Sequence, residues 1–315
     1  MKALITKTGS TDFTLYSDNK EYTGKIKGNF RIKGIKSTNP LTVGDWVEFD
    51  PVSGFITELY DRRNYIVRRP TNLSKQLHII GANIDQALLV VTLREPETDL
   101  GFIDRFLVTA RAYRIPVIMA FNKVDLLTGE EMPLLEGMEN LYQGIGHKTI
   151  RLRASDDSFA MDELYGLLEG KITLLSGNSG VGKSTIINRL IPNAQTRTGE
   201  ISSSHHKGMH TTTFSQMYPL PNPDNRQSSI ANCQFLIDTP GIKGFGVVDM
   251  KAEEISHYFP EIFHFSHDCR FSDCTHTNEP GCAVLEALDK HLIAKSRYQN
   301  YLAIRADLTD GKYRK

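Results

Sequence analysis

The chain has 315 residues, 40% of them hydrophobic and 23% charged, and its 37 basic side chains balance 37 acidic ones. That length exceeds one ordinary core and implies two or three units, while zero formal charge excludes a global field of the kind that gathers polyanions. The opening MKALITKTGSTDF lacks the apolar stretch of a secretory signal, and no window approaches the roughly 18 apolar residues of a membrane span. Four cysteines, three of them clustered, do not make a secreted disulfide framework. A cytoplasmic protein with no membrane partner is expected.

Residues 1 to about 69 read as short strands broken by Gly and Asn/Asp: ALITKT, DFTLYS, EYTGKIKG, DWVEFD, GFITELY and YIVRR. With five or six such strands and no helical period, a small β-barrel of the OB-fold type is predicted over 1–70. This stretch carries 12 Lys/Arg against 8 Asp/Glu, a basic face that can hold phosphates, with Phe30 available for stacking. Trp46 is expected in the barrel core.

From about 72 the pattern changes. DQALLVVTL reads as a buried strand, GFIDRFLVTARAYR as an amphipathic helix, and IPVIMAFNKVD as a strand. KTIRLRA, the helix MDELYGLL, the strand KITLLSG and the helix KSTIINRLI follow, and FSQMYPL and CQFLIDTPG add two strands after a polar stretch. Alternation of this kind implies an α/β unit with a parallel sheet covered on both faces, predicted over 71–246. Residues 247–315 read as helical, interrupted by a Cys/His cluster.

SGNSGVGKS, residues 176–184, matches the phosphate-binding pattern Gly-x4-Gly-Lys-Ser between a strand and a helix. Ser176, Gly177, Asn178, Ser179, Gly180, Val181 and Gly182 form the loop, whose backbone N–H groups can cradle phosphates at the positive end of a helix. Lys183 would reach the β- and γ-phosphates, and the Ser184 hydroxyl would reach Mg²⁺.

Asn122, Lys123, Val124 and Asp125 form Asn-Lys-x-Asp at the carboxyl end of an apolar strand, where open α/β sheets bind ligands. The Asp125 carboxylate can accept both N1–H and N2–H of guanine, whereas adenine would present a lone pair at N1. Lys123 lays its alkyl stem along the base, and Asn122 ties this loop to the phosphate loop. DTPG supplies Asp238, which can hold a Mg²⁺-bound water, and Gly241, whose N–H can approach a γ-phosphate. One of Thr211, Thr212 or Thr213, in the polar KGMHTTTF, completes the Mg²⁺ shell; Thr212 is the candidate carried forward. The order base, phosphate, switch inverts the usual GTPase order, and a circular permutation that keeps the three-dimensional site accounts for it.

CRFSDCTHTNEPGC places Cys269, Cys274, His276 and Cys282 at Cys-x4-Cys-x-His-x5-Cys. Three thiolates and an imidazole can close a tetrahedral Zn²⁺ shell of structural type. His267 precedes the first cysteine and fits the spacing less well, and Cys233 lies in an apolar strand and reads as core.

Together, the permuted motif order, the N-terminal barrel and the Cys/His cluster resemble the RsgA family of small-ribosomal-subunit biogenesis GTPases over essentially the whole chain. The resemblance implies an OB domain, a permuted GTPase domain and a zinc domain, acting in late maturation of the small subunit and binding its rRNA. It also makes GTP and GDP the ligands, the subunit the activator of slow intrinsic turnover, and the four Cys/His residues the zinc ligands. The loop over the guanine departs from the family's Ser-Ala: here Arg153 precedes Ala154, whose N–H would still reach guanine O6.

Where Ras-like GTPases carry a water-orienting Gln after the switch glycine, this chain has Ile242. His210 is the substitute that sequence offers. The C-terminal basic residues Lys295, Arg297, Arg305, Lys312, Arg314 and Lys315 are a second expected rRNA contact, and a monomer is expected. The rival readings are a P-loop ATPase or kinase, against which Asp125 argues, and an RNA-binding zinc protein whose nucleotide site is a non-hydrolysing scaffold.

Overall fold

The computed structural model describes residues 1–9, 11–26, 41–68, 78–153, 160–191, 194, 215–221, 234–239 and 250–309. Five strands form the N-terminal barrel: β1 (Lys2–Thr8), β2 (Asp12–Ser17), β3 (Lys20–Ile26), β4 (Trp46–Phe49) and β5 (Phe55–Leu59). They pair in the order β1-β2-β3-β5-β4 and close through β1–β4. Alternation drives the closure, since Phe13, Leu15, Val47 and Phe49 point inward to a core shared with Ile5, Leu41 and Ile56. Asp18 and Asn19, both at positive φ, make the two-residue turn between Ser17 and Lys20.

YIVRR is not a sixth barrel strand. Tyr65–Arg68 (β6) pairs with His78–Ala82 (β7) in a separate two-stranded ladder. Trp46 also differs from expectation: it is half-buried and packs toward the neighbouring α/β core rather than into the barrel interior.

The α/β unit contains β8 (Gln86–Val91), α1 (Leu100–Ala112), β9 (Val117–Phe121), α2 (Met132–Gly144) and β10 (Lys148–Arg151). It continues with α3 (Met161–Leu168), β11 (Ile172–Gly177), α4 (Lys183–Leu190), β12 (Gln216–Pro219) and β13 (Phe235–Asp238). Strand order is β10-β9-β8-β11-β13-β12, parallel except for β12. Both faces are covered, which is why β9 and, after Gln86, β8 are apolar. Leu89 and Val91 meet Phe106 of α1 and Tyr142 of α2 on one side, while Leu88 and Val90 meet Leu164 of α3 and Ile186 of α4 on the other. Helix α2 went unread in the sequence.

Barrel and α/β sheet are one hydrogen-bonded surface. Lys7 of β1 pairs with Gln216 of β12, and Gln216 pairs on its other side with Asp238 of β13. The Tyr16 and Phe235 rings meet edge to face at 5.5 Å beside this join.

The C-terminal segment consists of a 3-10 helix (Ala252–Tyr258), α5 (Pro260–Ser266), α6 (Ala283–Asp289) and α7 (Lys295–Thr309). Its core takes in Ile255, Phe259, Ile262, Tyr301 and Ile304, together with Val108 of α1. Of the C-terminal basic residues expected to face RNA, Lys295 is exposed and Arg305 half-buried, while Arg297 is corrected. It is 1% exposed, bonded to Asp104 of α1 at 2.6 Å and to Glu261 of α5 at 2.7 Å. Lys312, Arg314 and Lys315 lie outside the described residues, as do Phe30 and Cys233. Among the described residues no helix is long and apolar enough to cross a membrane.

Candidate nucleotide and metal sites

Parallel strands put their carboxyl ends on one edge, and the signature segments emerge there side by side. Gly177 ends β11 opposite Val90 of β8, Phe121 ends β9 opposite Val91 of β8, and Asp238 ends β13 opposite Leu175 of β11. The base signature and the phosphate loop also touch directly: the Asn122 side-chain amide donates to the Val181 carbonyl at 2.8 Å.

Two glycines are required by close approach. Gly177 sits at φ +147°, where a Cβ would stand 2.4 Å from the Val90 carbonyl oxygen. At Gly182, φ +101°, a Cβ would stand 2.3 Å from Nδ2 of Asn122. Gly182 also immediately precedes α4 as its N-cap residue and, having no side chain, makes no cap bond of its own there.

Lys183 folds its ammonium back over the loop, donating to the carbonyls of Gly177 and Asn178 at 2.7 Å each. Burial pushes it down to about 8, opposed by the Asp238 carboxylate. Burial likewise pushes Asp238 up to about 6, opposed by Lys183. Each charge is thus taken from water with too little compensation. A triphosphate would restore the ammonium and a divalent cation the carboxylate. The Ser176 hydroxyl at the loop's start is fully buried and has no partner among the described residues, another polar group without its complement there. Ser184 lies in the first turn of α4, half-buried.

Asp125 is exposed at the lip of the site, in a 3-10 turn over Val124–Leu126. Lys123 is left-handed at φ 61° and donates its ammonium to the Glu95 carbonyl, bridging to the loop after β8. The chain leading to Ala154 is held close, because Leu152 N donates to Phe121 O at 2.7 Å and Val124 N to Leu152 O at 3.4 Å. Ala154, His210, Thr212 and Gly241 themselves lie outside the described residues, as do Thr211 and Thr213. Thr239, beside Asp238, anchors the end of β13 by donating to the Leu175 carbonyl at 2.9 Å; sequence reading passed over it because its role is to hold β13 against β11.

Far along the chain, Cys269, Cys274, His276 and Cys282 bring their ligand atoms within 4.8 Å of one another. The two cysteine sulfurs nearest Nδ1 of His276 lie at 3.6 and 3.5 Å from it, and 3.9 Å from each other. A tetrahedron with bonds of about 2.1–2.3 Å has edges of roughly 3.5–3.8 Å, so the set fits a four-coordinate metal. The three cysteines form no disulfide, and burial pushes Cys274 up to about 12. Tyr298 and Tyr301 of α7 brace the ligand loop, donating to the carbonyls of His276 and Thr275 at 2.7 and 2.8 Å. His267 is not in the cluster; its ring packs on Phe263 at 4.7 Å.

Comparisons with known proteins give one answer. The family model described as RsgA GTPase matches residues 59–248, and that of the RsgA N-terminal domain matches residues 2–54. The chain is 51% identical to the small ribosomal subunit biogenesis GTPase RsgA 2 of Bacteroides thetaiotaomicron, over 100% of this chain and 99% of that protein. It is 52% identical to the small ribosomal subunit biogenesis GTPase RsgA of Porphyromonas gingivalis W83, over 99% and 98%. Its fold matches the crystal structure of YjeQ from Thermotoga maritima with a TM-score of 0.76 at 30% identity, covering 98% of both chains. It matches YloQ, described as a circularly permuted GTPase, with a TM-score of 0.70 at 25% identity, over 98% and 95%.

Proposed function

The chain belongs to the RsgA GTPase family, and on that premise we propose that it hydrolyses GTP in the late maturation of the small ribosomal subunit, slowly alone and faster on the subunit. The observation that carries the nucleotide reading is the Asn122–Val181 bond, which holds a guanine-reading loop against a phosphate loop.

In this reading Asp125 accepts from N1–H and N2–H of guanine, Lys123 and Val124 border the base, and the Ala154 N–H meets O6. The backbone of Ser176 to Gly182 surrounds the phosphates, and Lys183 leaves the loop carbonyls for β- and γ-phosphate oxygens. Ser184 and Thr212 would hold Mg²⁺, Asp238 would support it through a water, and the Gly241 N–H would sense the γ-phosphate. Mg²⁺ supplies charge neutralisation on the phosphates. His210 orients the attacking water, since Ile242 has no polar atom for that task. The Cys/His set takes one Zn²⁺, which fixes the C-terminal segment without joining the chemistry.

The division into a barrel (1–70), a GTPase unit (71–246) and a zinc unit (247–315) assigns rRNA contact to the first and last. The protein acts as a cytoplasmic monomer. Phosphate release from GTP, measured with and without purified small subunits, tests this. Stimulation by the subunits is expected, and turnover that they leave unchanged would sink the proposal.

A further inference from the structure

The sheet has a second edge, at the amino ends of the parallel strands. A cleft of about 770 Å³ opens there, lined by Arg111, Arg114, Ile115, His147, Lys148 and Lys171 among others. Strand lengths of five or six residues put it roughly 17 Å or more from the nucleotide edge. Apolar side chains also line it: Leu107, Val117 and Ile118, each 3–5% exposed, and the half-buried Ile145.

Charge decides what such a cleft receives. Arg111, Arg114 and Lys148 are exposed and take part in none of the ion pairs among the described residues. Lys171 touches only neutral acceptors, Gln86 Oε1 at 3.1 Å and the Leu167 carbonyl at 3.4 Å. The one lining carboxylate, Asp85, is already bonded to Arg63 at 2.7 Å and to the Ile172 N–H at 2.8 Å. A bland reading is that the arginines merely offset the carboxyl ends of α1 and α2. Two helix ends supply about −1 between them. Against four cations that leaves an excess of about +3, and Lys148 stands on a strand rather than at a helix end. Burial holds the His147 ring below its ordinary value, so it adds a neutral polar surface beside the cations.

We propose that this cleft binds a phosphate ester of nucleotide size, its phosphoryl group taken by Arg114, Lys148 and Arg111 and its remaining body held within the mixed lining of the cleft. Register places Lys148 directly beside Ile118, so a cation and an apolar wall stand one strand spacing apart, about 5 Å. The volume lies within the roughly 300–1,000 Å³ typical of small-ligand sites. Guanidinium groups pair with phosphoryl oxygens two at a time. A free mononucleotide and one unit of an RNA strand both present this chemistry. The site is independent of the nucleotide edge and stands whether or not hydrolysis occurs there.

The test uses the full chain saturated with GDP and Mg²⁺, so that the carboxyl edge is filled. Adenosine 5′-monophosphate, which Asp125 disfavours, is titrated by calorimetry, and a short fluorescent single-stranded oligoadenylate by anisotropy. The exposed double variant Arg114→Gln/Lys148→Gln is compared with Arg111→Gln alone, and retained GDP affinity reports the fold of each. Binding of at least one probe, weakened about tenfold or more in the double variant, is expected. Binding of the mononucleotide identifies a free ligand, and binding of the oligonucleotide alone identifies an RNA strand. Absence of binding by either probe, or affinities that both variants leave unchanged, overturns the proposal.

Discussion

The side-chain amide of Asn122 is buried, 4% exposed, and donates to the backbone carbonyl of Val181, locking the end of β9 to the loop after β11. The two residues stand 59 positions apart in the chain, and their bond makes one site of two segments whose order is inverted. Asn122→Ala removes a buried donor and leaves that carbonyl unpaired, a cost of about 1–3 kcal/mol. Affinity for a fluorescent GDP analogue is expected to fall about tenfold or more, with the melting temperature lowered by a few degrees. Undiminished GDP affinity would show that the bond does not support the site.

Gly182→Ala brings a methyl to 2.3 Å from the same amide at a φ of +101°. Moving the amide aside breaks the Val181 bond, and the left-handed backbone adds strain, so nucleotide titration should show affinity falling at least as far as in Asn122→Ala. Circular dichroism should show the fold retained, because the clash is confined to the loop.

The proposed function gives Asp125 the choice of base. An Asn at that position can donate to a C2 carbonyl, which xanthine has and guanine lacks. For Asp125→Asn we expect GTP affinity to drop by about 10²- to 10⁴-fold and xanthosine triphosphate to recover it. Competition between the two triphosphates reads this out, and an unchanged preference for GTP would remove Asp125 from the base contact.

Acid–base behaviour of the nucleotide-free protein should show Asp238. Its acid is raised from 3.8 to about 6 by burial, so between those values the folded chain keeps a proton that the unfolded chain has released. The stability this group contributes is complete below about 4 and is lost as pH climbs through 6. Asp238→Asn should therefore melt higher than the parent at pH 7, by on the order of 1–3 kcal/mol, with the gap closing toward pH 4. The same variant should lose the Mg²⁺-dependent part of its GTP affinity. A gap that stays constant with pH would refute the assignment.

Removal of the metal should act at a distance. Tyr298 and Tyr301 bond to the carbonyls of His276 and Thr275, so loosening the ligand loop should release both rings. Elemental analysis is expected to find one metal equivalent. A chelator should then change the near-ultraviolet circular dichroism of the tyrosines and open 250–309 to protease, while GDP affinity is kept. An unaltered protease pattern in the metal-free chain would deny the metal a structural role.

The sequence made the chemistry legible because phosphate loops, base-reading loops and metal knuckles draw on residues that are neighbours in the chain. Spacing therefore carries the geometry. What escaped depends on distant pairing. Helix α2 was missed although Leu135 and Tyr142 mark its buried face, since Gly137 within it lowers helix propensity. β7 was hidden because HIIGA alternates too briefly to stand out and is held by β6 alone. Arg297 read as a surface cation, yet Asp104 and Glu261 share its charge in the interior. A buried ion pair leaves no mark in composition.

One row of the sheet runs Lys7, Gln216, Asp238. No loop interrupts it, and each step is a backbone hydrogen-bonded rung of about 4.8 Å. The amino-terminal barrel and the strand that ends in Asp238 are therefore separated by a single intervening strand, so the two units share one continuous backbone fabric.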